Sequence, residues 1–295
     1  MFQWYDPAEI RRRDRPMRSL WVPAALALAA GMAAAAAAPV APTPVVIPLD
    51  TGTLKAVLFR PAGPGPFPAA VALHDCAGLA TPRGPFGNRY RAWAEHLVKA
   101  GFVVLFPDSF GSRGLGSQCA LHRRTVRVDR ERVDDANAAR RWLQAQSYVE
   151  PHHVALVGWA NGAITVLWTV RRRTAPTSVD DSDFRSAVAL YPGCGRLDNA
   201  AWSARVPTLI LIGAADDWTP ASACERMVAN ARGRSAGIAI VVYPGAYHDF
   251  DHPNRPLALR SGIAFAASAS GTVHSGTNRA ARTDALQRVP EWLAR

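Results

Sequence analysis

The 295-residue chain is 49% hydrophobic and carries 34 Lys plus Arg against 23 Asp plus Glu, a formal net charge of +11. Half-apolar composition at this length fills one large core or two small ones, and the absence of an internal repeat or long linker favours one catalytic-size domain behind an N-terminal extension. The arginines cluster at 11–13, 122–132 and 171–173, interleaved with Asp and Glu and without an aromatic platform; this reads as a solvated basic face and argues against nucleic acid as a partner.

The segment MRSLWVPAALALAAGMAAAAAAP sets Arg18 ahead of an apolar run from Leu20 to Ala38 that ends in small residues. That is the pattern of a secretory signal peptide over about residues 17–38, cut within the alanine tract because a proline at the junction hinders the peptidase. Residues 1–16 then read as an over-long start ahead of Met17. The competing reading is an uncleaved anchor, since the run is nearly long enough to span a bilayer. The expected organisation is extension and signal at 1–38, an extended Pro-rich lead at 39–50 and a folded domain at 51–295. With the signal removed, the domain is periplasmic or secreted and makes no stable membrane insertion.

Export changes the meaning of the four cysteines, Cys76, Cys119, Cys194 and Cys224, because disulfides persist outside the cytosol. Three pairings are open. Cys76 with Cys119 and Cys194 with Cys224 close the more local loops, and each bridge would add about 3–4 kcal/mol; four buried thiols are the alternative. No spacing among them suits zinc.

After the lead PVAPTPVVIP, which reads as coil, TLKAVLFR is a strand and AAVALH at 69–74 a buried one, followed by the loop DCAGLATPRGPFG. RYRAWAEHLVKAG has helical spacing and stops on Gly101. FVVLFPDSFGSRG is strand and loop, and VDRERVDDANAARRWLQAQ is the longest amphipathic helix, with Val128, Val133, Ala136, Ala139, Trp142 and Leu143 on or near one face. HVALVGW is a strand, GAITVLWTVRRR a helix, SAVALYPG and PTLILIGAADD two buried strands, ASACERMVANAR a helix, IAIVVYPGAYHDF strand and loop, and ARTDALQRVPEWLAR a closing helix. Apolar strands alternating with amphipathic helices imply an α/β fold, a mostly parallel sheet covered on both faces. Function in such sheets sits in loops at the carboxyl ends of the strands.

Four of those strand ends carry polar residues: LHDCAGL, GWANG, GAADDWTP and YPGAYHDF. Acyl transfer requires a nucleophile, a histidine to take its proton, a carboxylate to orient the histidine, and N–H donors for the oxyanion. Position 160, Asp216 or Asp217, and His248 follow one another in the order nucleophile, acid, histidine used on α/β-hydrolase sheets. The alternatives are ordinary ones. His248 could be a surface loop residue, an aspartate could cap the helix starting near Pro220, and Trp159 and Trp218 could be core rather than pocket lining. The other histidines, His74, His96, His122, His152, His153, His252 and His274, read as structural or exposed.

These blocks, with HDCAGL, AGFVVLFPDSFGSRG, ARRWLQAQSYVEPHHVALVGWANG, YPGC, LILIGAADDWTPA and YPGAYHDFD in order, resemble the dienelactone hydrolase family of α/β-hydrolases, particularly its exported members, from about residue 50 to the end. The resemblance implies an esterase or lactonase with His248 as general base, Asp216 as its orienting acid in preference to Asp217, and oxyanion donors at the backbone N–H groups of Asn161 and Cys76. It also implies substrate contact at Asp75, and a small ester or lactone as the partner molecule, with no cofactor. One position departs: the family turn carries Cys or Ser where this chain has Ala160, and neither Trp159, Asn161 nor Gly162 can replace it. Loss of a triad nucleophile costs on the order of a million-fold in turnover, roughly 8 kcal/mol. Two functions therefore compete: a hydrolase scaffold impaired at its nucleophile, and a non-catalytic protein holding an ester or carboxylate ligand in the same cleft.

Overall fold

The computed structural model describes residues 41–82, 84–172, 183–198 and 201–295. The expected signal segment lies outside them. An eight-stranded sheet runs β1 (Thr43–Pro48), β2 (Thr53–Phe59), β4 (Val103–Pro107), β3 (Phe67–Leu73), β5 (Val149–Trp159), β6 (Ala187–Leu190), β7 (Thr208–Gly213) and β8 (Ile238–Tyr243) in spatial order. The first two pairings are antiparallel and all the rest parallel. Every residue of β4, β6 and β7 is buried. Strands covered on both faces need no polar side, so these read as unbroken apolar runs.

The helices are α1 (Asn88–Lys99), α2 (Glu131–Gln144), α3 (Asn161–Thr169), the short α4 (Gly195–Asp198), α5 (Ala221–Ala231) and α6 (Arg279–Leu293). They cover both faces of the sheet, as the alternation of elements requires. Pro290 sits inside the last turns of α6. Having no N–H, it leaves the Leu286 carbonyl without its intrahelical donor, and His96 Nε2 on α1 takes that oxygen at 2.6 Å.

The structure corrects the sequence reading in three places. The lead is not coil: residues 43–48 form β1, paired with β2 from Thr43 opposite Leu58 to Pro48 opposite Thr53. Its prolines, Pro44 and Pro48, are tolerated because β1 is an edge strand, and Ile47 is the residue it buries. The long helix begins at Glu131 rather than at Val128, and Glu131 reaches back to accept the Arg127 N–H at 2.8 Å. Finally, the stretch between His248 and α6 holds a two-stranded ribbon, β9 (Ala258–Arg260) with β10 (Val273–Ser275), too short for periodicity to reveal.

Two apolar clusters result. The main one fills the sheet faces. The second is small: Cys76, Trp218 and Val273, with Cys119, Ile263 and Ala266 packed against them, drawn from loops beyond the ends of the main-sheet strands and from β10. No helix among the described residues is long and apolar enough to cross a membrane.

Candidate active site

Strand β5 passes into α3 through a single residue, Ala160, at φ 47° and ψ −108°. A non-glycine residue there carries strain of about 1–3 kcal/mol. The Ala160 N–H is fixed to the Leu190 carbonyl at 3.0 Å, and its carbonyl opens the helix by accepting from Ile164 at 2.9 Å. Close packing explains the flanking glycines. A Cβ on Gly162 would lie 2.1 Å from the Leu73 carbonyl oxygen, and one on Gly158 would lie 2.7 Å from the Gly162 carbonyl. With both neighbours pressed against backbone, the turn directs the side chain of residue 160 into a cavity.

The loop after β7 brings Asp216, and the loop after β8 brings His248. His248 Nδ1 meets Asp216 Oδ2 at 2.8 Å, with both side chains buried. Thr219 Oγ1 donates to the same carboxylate oxygen at 3.0 Å, while Asp216 Oδ1 accepts the N–H groups of Trp218 and Thr219 at 3.0 and 2.8 Å. Asp216 thus orders the turn before α5 while meeting the imidazole, but it does not cap that helix: the N-cap is Pro220 and receives no side-chain hydrogen bond. Asp217 instead binds His274, through its N–H at 2.8 Å and Nδ1 at 2.7 Å.

The imidazole of His248 lies 4.4 Å from the Trp218 ring and 4.6 Å from that of Tyr191. Burial by itself disfavours the imidazolium, but the Asp216 charge and hydrogen bond, helped by Asp249, outweigh it and raise the His248 pKa above the ordinary value. Its Nε2 is buried and has no hydrogen-bond partner among the described residues. A hydrogen-bonding nitrogen left unmet inside a protein is costly, and a general base keeps that nitrogen for the nucleophile's proton.

Asn161, the first residue of α3, has a backbone N–H with no acceptor inside the helix, and Cys76 lines the same cavity from the loop after β3. The Asn161 side chain is tied down behind the turn: Arg132 Nη1 donates to its Oδ1 at 2.5 Å and Arg132 Nη2 to the His74 carbonyl at 2.8 Å. Arg132 is fully buried and its pKa is pulled down to about 10, by burial above all. The disulfides Cys76–Cys119 and Cys194–Cys224 are formed, and the Cys76 carbonyl accepts the Gln118 N–H at 2.7 Å.

Two expected contacts fall elsewhere. Asp75 does not line the cavity; one of its oxygens accepts the Ala77 N–H at 2.8 Å and the other pairs with Arg89, which also holds Asp249 at 2.6 Å. Trp159 is fully buried, stacked on Phe106 at 6.3 Å, and donates from Nε1 to Asp251 at 2.8 Å. The alternation of strand β5 explains this placement: residue 159 points to the α1 side, where Tyr90 and Trp93 receive it. Trp218 does line the cavity.

Arg132 and Thr219 were missed from the sequence. Arg132 had a signal, since it falls on the helical row of Ala136, Ala139 and Leu143, where a lone arginine among apolar residues demands a buried acceptor. Thr219 had none. Among the described residues no group of three or more His, Cys, Asp or Glu side chains is placed to hold a metal.

A family model for the dienelactone hydrolase family matches residues 54–295. The chain belongs to that family. A Methylorubrum extorquens protein named "Putative carboxymethylenebutenolidase" is 25% identical over 226 residues, covering 72% of this chain and 73% of that protein. Two solved structures share the fold of this dienelactone hydrolase family member. One is a dienelactone hydrolase-like promiscuous phosphotriesterase from metagenomic libraries, with TM-score 0.62 and 18% identity over 86% of this chain and 98% of that one. The other is a dienelactone hydrolase from Anabaena variabilis, with TM-score 0.56 and 18% identity over 86% and 97%.

Proposed function

We propose that the protein is a carboxylic ester or lactone hydrolase scaffold whose nucleophile position is held by Ala160, leaving it severely impaired in turnover. The observation that carries this reading is the buried Asp216–His248 pair at 2.8 Å, with His248 Nε2 unmet and residue 160 held in a strained turn in the same cavity. With Ser or Cys at 160, His248 Nε2 takes the nucleophile's proton as it attacks the acyl carbon. The Asn161 and Cys76 N–H groups receive the oxyanion, and the imidazolium, steadied by Asp216, returns the proton to the leaving alkoxide. Water then repeats the sequence to release the acid. Without a nucleophile, oxyanion donors and binding alone retain about a thousand-fold over water.

The second reading is non-catalytic: the same N–H groups and the His248 imidazolium hold a small ester or carboxylate. It draws support from the retained strain at Ala160, which a mere connection has no reason to keep. Two disulfides fit an oxidising compartment, and with the signal-like run before Pro39 they support export to the periplasm or beyond, with the mature protein starting within the alanine tract ahead of Pro39.

The test compares the protein with Ala160→Ser and Ala160→Cys on p-nitrophenyl acetate and a small lactone. Activity gained by either variant, and lost again on adding His248→Ala, is the expected result. If both variants stay at the background rate, the hydrolase reading is overturned.

A further inference from the structure

The cavity at residue 160 measures about 710 Å³. That lies in the upper part of the range of about 300–1,000 Å³ that takes drug-sized ligands, and is several times the volume of a small lactone. Its charge is unbalanced. Arg123, Arg124, Arg127, Arg196 and Arg226 line it, against a single carboxylate, Asp129. Asp129 is taken by Arg127 at 2.7 Å, and Arg226 is bound from outside the cavity by Asp198 at 3.0 Å. Arg123, Arg124 and Arg196 have no ion-pair partner among the described residues.

Arg124 stands out of the three because it is half-buried. Its Nε donates to the Leu121 carbonyl at 3.1 Å, and its guanidinium lies 4.9 Å over the Phe265 ring. The terminal nitrogens meet no protein acceptor among the described residues, although a guanidinium fork positioned by a backbone hydrogen bond and an aromatic ring is pre-organised for a carboxylate. Burial with no counter-charge pulls its pKa down, the reverse of what a protein-paired arginine shows. Beside these arginines the lining is apolar at Val126, Ile164, Trp218, Ala264 and Phe265.

We infer that the cavity selects an amphipathic anion: an ester, or the acid it yields, with a long or multi-ring apolar body against the apolar lining and a carboxylate held by Arg124 as specificity-determining residue. The inference rests on the cleft being the ligand site, as in both readings above, and adds the ligand's class. It separates this protein from one that takes any small ester.

Calorimetry on the unmodified protein with decanoate, methyl decanoate and acetate tests it. Decanoate should bind at least tenfold more tightly than either of the others. Arg124→Leu should bring decanoate down to the level of methyl decanoate, and Arg124→Lys should restore part of the difference. Equal binding of methyl decanoate or of acetate, or an Arg124→Leu variant that binds decanoate unchanged, overturns the inference. If Arg124→Leu fails to fold, the comparison of decanoate with its methyl ester on the unmodified protein decides alone. The hydrolase reading fails separately: an Ala160→Ser enzyme that cleaves p-nitrophenyl acetate while the protein shows no preference for decanoate sinks only the amphipathic-anion inference. Decanoate preference beside an inactive Ala160→Ser variant sinks only the hydrolase reading.

Discussion

The two sides of the cavity are built on different physics. The floor, made of Ala160 and His248 with Asp216 behind the imidazole, stands on strand ends of the main sheet, and Asp216 is fully engaged, accepting from Trp218, Thr219 and His248. The far wall comes from loops at 113–130 and 262–273, held by the Cys76–Cys119 bridge and the small cluster around Trp218 and Val273, and its Arg123 and Arg124 have no ion-pair partner among the described residues. A floor hydrogen-bonded everywhere but at His248 Nε2 suits chemistry that tolerates little displacement, whereas a wall short of counter-charge suits recognition. The floor presents a methyl group at residue 160, while the wall presents unpaired guanidinium groups.

The largest test of this contrast is chemical. Ala160→Ser should raise kcat/KM on p-nitrophenyl acetate by at least a thousand-fold, about 4 kcal/mol in barrier, and a crystal structure of the variant should place the new hydroxyl about 3 Å from His248 Nε2. A serine turned away from His248 would refute the assignment of the floor.

The wall should break through its bridge. Replacing Cys76 and Cys119 together by serine opens a loop with sequence separation 43 and should cost about 4 kcal/mol, read by urea unfolding, with ligand affinity falling further than stability alone accounts for. A loss confined to stability would show the wall to be ordered without its bridge.

In the floor, Gly162→Ala meets the Leu73 carbonyl at 2.1 Å and should destabilise by about 3 kcal/mol, by overpacking against backbone that cannot yield. An unchanged melting temperature would mean that the β3–α3 contact is looser than described.

The smallest effect is on pH dependence. His248 has a raised pKa, so between about 6.5 and that raised value the folded state keeps a proton the unfolded chain has released. Its contribution is full below about pH 6.5 and is lost as pH rises through the folded pKa. His252 acts oppositely. Burial first, then Arg255 and Arg89, push it down to about 4, so stability falls as pH drops from about 6.5 towards that value. Thermal melts should therefore peak between the two windows, and Asp216→Asn should flatten the alkaline limb. An alkaline limb unchanged by Asp216→Asn would deny the charge coupling of the pair.

Much of the floor was legible in the sequence because it depends on local order. Gly158, Ala160 and Gly162 announce a sharp strand-to-helix turn, and Asp216 and His248 each follow an apolar strand. The ribbon at 258–275 and β1 were not legible: the first has strands of three residues, and the second alternates too weakly between its prolines. Asp75 was misplaced because its partner Arg89 lies on α1, 14 residues on, and nothing local announces that the helix turns this side chain back beneath the loop.

By itself the sequence determined the alternation of strands and helices, the acid–histidine order and the empty chemistry at position 160, because periodicity and residue type are local properties. Only the tertiary structure decided that Asp217 is taken by His274, that Trp159 belongs to the core and that Arg124 faces a cavity without a counter-charge. Each of these turns on which loops pack together, and long-range packing sets the environment in which a charge is paired or left waiting for a ligand.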